Sequence, residues 1–95
     1  MNEHGLVIVP TYNEVDSIYA TYSRIRNVTD CSILFVDDGS TDGTLEIIHE
    51  LIATDARVQA LFRNQKLGLG AAYIASYKHA ISEGFDFCIQ LDADG

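Results

Sequence analysis

Ile33-Leu34-Phe35-Val36-Asp37-Asp38-Gly39-Ser40 is the stretch that decides the architecture of this chain. Four successive apolar residues, β-branched or aromatic but for one, do not alternate with polar ones, the pattern of a strand buried on both faces. The run then stops within one residue at two carboxylates, a glycine and a hydroxyl, which is the chemistry of a turn and a helix start. The same shape recurs outward in both directions. Leu6-Val7-Ile8-Val9 stops at Pro10-Thr11-Tyr12-Asn13, Phe87 to Leu91 stops at Asp92-Ala93-Asp94-Gly95, and Val58 to Phe62 reads as one more short strand.

Between these runs the apolar period changes from continuous to helical. Val15, Ile18, Tyr22 and Ile25 are spaced for a first helix from Glu14 to near Asn27, with Asn13 expected as its cap. Leu45, Ile48, Leu51 and Ile52 mark a second, capped by Ser40 or Thr41. A third is expected over Leu69 to Ser82, with Ala72, Tyr73, Ser76, Tyr77, Ala80 and Ile81 on its inner stripe and Gly84 stopping it. The order βαβαβαβ with unalternating strands calls for an α/β fold, a parallel sheet covered by helices on both faces. Right-handed crossovers give a Rossmann-like half with strand order 3-2-1-4, and ligands gather at the carboxyl ends of such strands.

Ninety-five residues make at most one small domain or part of a larger one, so residues 1–95 are read as one unit. Fourteen acidic against six basic residues leave a net charge of -8, which excludes binding of nucleic acid by bulk charge. Cys31 and Cys88 are isolated, with no CxxC and no clustered His, so neither a disulfide framework nor a zinc site is indicated and a reduced, cytoplasmic setting is expected. No apolar run approaches the roughly 20 residues of a membrane span.

Half of the acidic residues crowd one rim: Glu14, Asp16, Asp37, Asp38, Asp42, Asp92 and Asp94 follow directly on the first, second and fourth strands. Carboxylates so placed must be solvated, bonded to backbone donors or bridged by a cation. Asp92 and Asp94 at i and i+2 suit a hard divalent ion, Mg2+ or Mn2+, that leaves positions open for phosphate. Asp37 and Asp38 stand where doubly wound folds present an acceptor to a ribose or base, although the sequence supports an Asx-turn around Gly39 equally well. Lys66, in the segment before the third helix, offers an ammonium to a phosphate. A dinucleotide fingerprint is absent, because Pro10 stands where the glycines after the first strand would be. Tyr12 is suited to stacking on a base, Tyr73 and Tyr77 are expected in the core, and His4, His49 and His79 are given no role.

Taken together, Val9-Pro10-Thr11-Tyr12-Asn13-Glu14, Val36 to Thr44, Lys66-Leu67-Gly68-Leu69-Gly70-Ala71-Ala72-Tyr73 and Gln90-Leu91-Asp92-Ala93-Asp94-Gly95 resemble the family 2 glycosyltransferases of GT-A fold, and within them the dolichyl-phosphate and polyprenyl-phosphate mannosyltransferases. The resemblance implies the donor-binding half of a transferase. Pro10, Tyr12, Glu14, Val36, Asp37 and Asp38 would surround base and ribose, Lys66 would lie near the phosphates, Ala93 would belong to the nucleotide-sugar site, and Asp92 and Asp94 would hold Mg2+ or Mn2+ against the diphosphate. It implies inverting transfer from a nucleoside-diphosphate sugar, GDP-mannose favoured and a UDP-sugar retained, to a polyprenyl phosphate or glycan.

Many lipid-phosphate transferases continue this last motif as DADLSH or DADFSH, whereas Gly95 follows Asp94 here, as in branches that act on cell-envelope polysaccharides. The acceptor half would follow Gly95, so no catalytic residue is assigned within this chain, and attachment to the cytoplasmic face of a membrane would come from that later segment. The 95 residues alone are therefore expected to bind donor without transferring sugar, and to self-associate through the fourth strand. Parts of the sequence are also compatible with three other readings: a nucleotide-binding module without catalysis, a haloacid-dehalogenase-like phosphatase, whose Asp motif belongs on a first strand, and a response-regulator receiver.

Overall fold

A computed structural model of the chain describes residues 4–63 and 69–91. Lys66, Asp92, Ala93 and Asp94 lie outside the described residues, as do the side chains of residues 69–73. The elements are β1 (Gly5–Thr11), α1 (Ile18–Val28), β2 (Ser32–Asp37), α2 (Thr44–Thr54), β3 (Val58–Phe62), α3 (Leu69–Ser82) and β4 (Phe87–Gln90). They form one parallel sheet in the order β3-β2-β1-β4, as expected from the sequence.

Side chains alternate across each strand, so the unbroken apolar runs of β1 and β2 feed two cores at once. Val7, Val9, Ile33 and Phe35 meet Ile18 and Ile25 of α1 and Ile48 and Leu51 of α2 on one face. Leu6, Ile8, Leu34 and Val36 meet Ala80 of α3 on the other. Each side chain fully withdrawn from water here contributes about 1.5 to 3 kcal/mol. The third helix departs from its expected stripe: Ser76 and Ala80 are buried, but Tyr77 and Ile81 are 40% and 80% exposed. Small residues four apart bring α3 close to the sheet along one narrow line, and the larger side chains beside that line stay outside it.

Helix starts also differ from expectation. Ser17, not Asn13, holds the cap position of α1, without a side-chain capping bond. Residues 14–17 form a turn instead, in which the Ser17 and Ile18 amides both donate to the Glu14 carbonyl. Asn13 adopts φ +53 and its side-chain carbonyl accepts from the Thr41 amide. At α2, Gly43 occupies the cap position at φ +103, and Asp42 does the capping by accepting from the Thr44 amide and hydroxyl. The Ser40 hydroxyl is committed to Asp37 and to the Asn13 amide.

Pro10 lies in a central strand, where a missing N–H is ordinarily excluded. The Thr11 carbonyl accepts from Asp38 on the β2 side, and the Ile8 carbonyl accepts from Leu91 on the β4 side. Even-numbered residues of β1 therefore face β4, whose described pairing ends at Ile8 with Gln90, so Pro10 removes no described ladder bond. At the other end of that ladder Gly5 pairs with Phe87, whose ring lies across the glycine: a Cβ built there would come within 2.2 Å of it.

Opposite the strand ends, Asp55 after α2 ties three elements together. Its Oδ2 accepts from the Tyr22 hydroxyl at 2.8 Å and the Arg26 Nε at 2.7 Å, its Oδ1 accepts from the Arg57 amide at 2.9 Å, and Arg26 continues to the Cys31 carbonyl at 2.7 Å. Burial alone pushes the Asp55 carboxyl up. The Arg26 guanidinium, the Arg57 amide and the Tyr22 hydroxyl outweigh it, and the carboxyl is lowered to about 2.

Candidate functional site

The loops after β1 and β2 leave the sheet side by side and are stitched to each other. Three consecutive amides of the first loop donate to side chains of the second: Asn13 to the Ser40 hydroxyl at 2.8 Å, Glu14 to the Thr44 hydroxyl at 2.9 Å, and Val15 to the Asp42 carboxylate at 3.1 Å. Thr41 returns a bond from its amide to Asn13 at 2.8 Å. In dinucleotide-binding folds, amides at this place are left for a phosphate. Here they are consumed internally, so this loop is a rigid wall and not an anion cradle.

Asp37 is the keystone of the wall. It is 1% exposed and accepts from the Thr11 hydroxyl at 2.7 Å, the Gly39 amide at 3.0 Å, the Ser40 amide at 2.8 Å and the Ser40 hydroxyl. Those four donors fill the acceptor capacity of a carboxylate. The Asx-turn reading therefore holds, with Gly39 at φ +99, and Asp37 has no lone pair left for a ribose or base. In this arrangement Asp37 holds the loop after β2 in place. Asp42 is committed in the same way, and its carboxyl is lowered by the Thr44 hydroxyl and the Val15 and Thr44 amides.

Asp38 is placed differently. It follows β2 at the mouth of the wall, and its Oδ1 lies 3.5 Å from the Arg63 Nε, with the two side chains only 11% and 17% exposed. At that separation the two form an ion pair and not a hydrogen bond. Asp38 Oδ1 and Arg63 Nη1 are both buried without a hydrogen-bond partner among the described residues. Arg63 did not stand out in the sequence. The signal was available: it follows β3 directly, and the Asp37 with Phe62 pairing sets the next residues of both strands beside each other at the rim.

The remaining candidates gather on the same rim. Pro10 and Val36 are paired across β1 and β2, Tyr12 is 40% exposed at the end of β1, and Glu14 is half-buried in the turn before α1. Leu91 donates its amide to the Ile8 carbonyl at 2.9 Å as β4 ends. Among the described residues no group of three or more His, Cys, Asp or Glu side chains is arranged to hold a metal ion. A concavity of about 320 Å³ lined by Arg24, Ile25, Val28 and Leu91 is almost wholly apolar and offers no converging polar groups.

A parallel sheet in the order 3-2-1-4 with helices on both faces is the fold of the GT-A glycosyltransferases that this chain resembles in structure. The chain superposes with TM-score 0.74 on a mannosyltransferase from Pyrobaculum calidifontis determined in complex with GDP-Man and Mn2+, at 26% identity over 84% of this chain and 25% of that one. Residues 6–95 match glycosyl transferase family 2, and the chain belongs to that family. It is 43% identical to an undecaprenyl-phosphate mannosyltransferase of Micrococcus luteus over 95% of its length, and 41% identical to a polyprenol monophosphomannose synthase of Mycolicibacterium smegmatis over 98%. It spans 37% and 36% of those two relatives.

Proposed function

We propose that this chain is the donor-binding part of a metal-dependent, inverting glycosyltransferase that moves a sugar from a nucleoside diphosphate to a polyprenyl phosphate at the cytoplasmic face of a membrane. The observation that carries the proposal is the pre-built wall, which leaves Tyr12 exposed just after β1 and Asp38 just after β2 uncommitted to it, while Asp37 and Asp42 are spent on holding it. Tyr12 supplies a ring for stacking on the base, and Asp38 supplies an acceptor for base or ribose donors. The named ligands of the Pyrobaculum calidifontis enzyme and the names of the two relatives favour GDP-mannose over a UDP-sugar.

The chemistry of Asp92 and Asp94, paired hard oxygen donors two residues apart in the sequence just after β4, fits Mg2+ or Mn2+. Such an ion, when bound, neutralises charge on the departing diphosphate. The chain's own residues orient the nucleoside and keep water from the buried side of the wall. A phosphate acceptor arrives already ionised and needs no base from these residues.

Calorimetric titration of GDP and UDP in Mn2+ and in chelator checks this reading. Binding is expected only with the ion and more tightly for GDP, and Asp94→Ala is expected to weaken it by about thirtyfold or more, the scale of losing a charged ligand group. Equal affinity in chelator would sink the proposal, and UDP ranking above GDP would reverse the assignment of the base.

The open side of β4 is a separate feature. Ile89 and Leu91 are 52% and 36% exposed beside it, and an unpaired strand edge of this kind templates pairing. Self-association of the 95-residue chain through β4 is expected, and Ile89→Lys should abolish it. Sedimentation that finds the unsubstituted chain monomeric at high micromolar concentration would rule this out.

A further inference from the structure

We propose that Arg63 is a positioning residue for nucleoside recognition, acting through Asp38; the inference rests on the nucleotide-sugar reading above. The argument starts from the backbone. The Arg63 amide donates to the Asp37 carbonyl at 2.8 Å, which fixes Arg63 at the end of β3 one strand away from Asp38. Its Nε then lies 3.5 Å from Asp38 Oδ1, in a pair that is mostly withdrawn from water. A carboxylate so buried requires a counter-charge, and without one it turns out to solvent. Among the described residues the nearby loop amides are engaged elsewhere, Asn13 on Ser40, Glu14 on Thr44, Val15 and Thr44 on Asp42, Gly39 and Ser40 on Asp37, and Thr41 on Asn13.

Three of the other basic residues with described side chains lie elsewhere: Arg26 on Asp55, Arg57 on Asp30, and Arg24 near Thr21. Among the described residues, Arg63 is the cation paired with Asp38. The present geometry is also one step short of a hydrogen bond, with Asp38 Oδ1 and Arg63 Nη1 both buried and without partners among the described residues. A nucleoside donor engaging Asp38 would draw the carboxylate and the guanidinium fork into register. Arg63 thereby affects the nucleoside end of the ligand and leaves the diphosphate end alone.

Titrations in Mn2+ with GDP, and separately with inorganic pyrophosphate, separate these ends. Arg63→Ala is expected to weaken GDP about tenfold, the scale of one charge-assisted hydrogen bond, and to leave pyrophosphate within about twofold. Arg63→Lys, with the charge but not the fork, should fall between, and it carries the comparison if the alanine variant does not fold. Asp38→Asn should weaken GDP similarly, and adding Arg63→Ala to it should cost no more than about twofold further, because the two act as one unit. Equal losses for both ligands would reduce Arg63 to a structural residue and overturn the inference, as would unchanged GDP binding or losses that multiply in the double variant. If Asp38→Asn binds GDP as tightly as the unsubstituted protein, the nucleoside reading itself falls, and this inference with it.

Discussion

Asp37→Asn is expected to destabilise the fold by about 3 to 4 kcal/mol, the loss of several charge-assisted bonds at a buried site. The substitution is nearly isosteric, so packing is not the cause. All four bonds to Asp37 come from donors: the Thr11 and Ser40 hydroxyls and the Gly39 and Ser40 amides. An amide at this position turns an NH2 toward at least one of them and leaves both sides buried and unsatisfied. The wall is then undone from its centre, since Ser40 also receives the Asn13 amide. Urea denaturation with the midpoint and slope both measured reads the loss; a change below about 1 kcal/mol would mean that Asp37 is not the keystone.

Asp55→Asn is expected to remove about 2 kcal/mol at pH 7, the free energy linked to a carboxyl moved from 3.8 to about 2. The sign follows from the direction of the shift. A lowered folded-state value means that the contribution is complete above about pH 4 and is lost as pH falls toward 2. The unsubstituted protein and the variant should therefore differ at pH 7 and converge near pH 2. Thermal melts across that range test it, and a gap that persists at pH 2 would assign the effect to packing of Tyr22 and Arg26 and not to the charge.

The strands, their order and their parallel pairing were legible because Leu6–Val9 and Ile33–Val36 are continuously apolar, and only a sheet covered on both faces hides such runs. Helix α3 was legible in its bounds but not in its buried face, because the period marks Tyr77 and Ser76 alike while the close approach of Ser76 and Ala80 depends on the sheet beneath. The helix caps were misread for a related reason. Asn13, Ser40 and Thr41 have the right chemistry for local capping, yet the Asn13 carbonyl and the Ser40 hydroxyl each accept an amide of the neighbouring loop, a choice made by topology and invisible in sequence. Asp37 and Asp38 are adjacent and chemically identical. Strand alternation turns the first inward to its four donors and the second toward Arg63, and only the register of β2 against β3 distinguishes them.

The ladder between β1 and β4 has a consequence in time. Gly5 and Phe87 are neighbours in the sheet, but about eighty residues separate them along the chain. At a synthesis rate of roughly 5 to 20 residues per second, β1 emerges about 4 to 16 seconds before its second partner exists. Pairing with β2 and coverage by α1 and α2 need not wait, whereas the Leu6 and Ile8 backbone groups facing β4 stay unpaired throughout that interval. A nascent chain is thus exposed to pairing with its neighbours on a polysome at the centre of its eventual sheet.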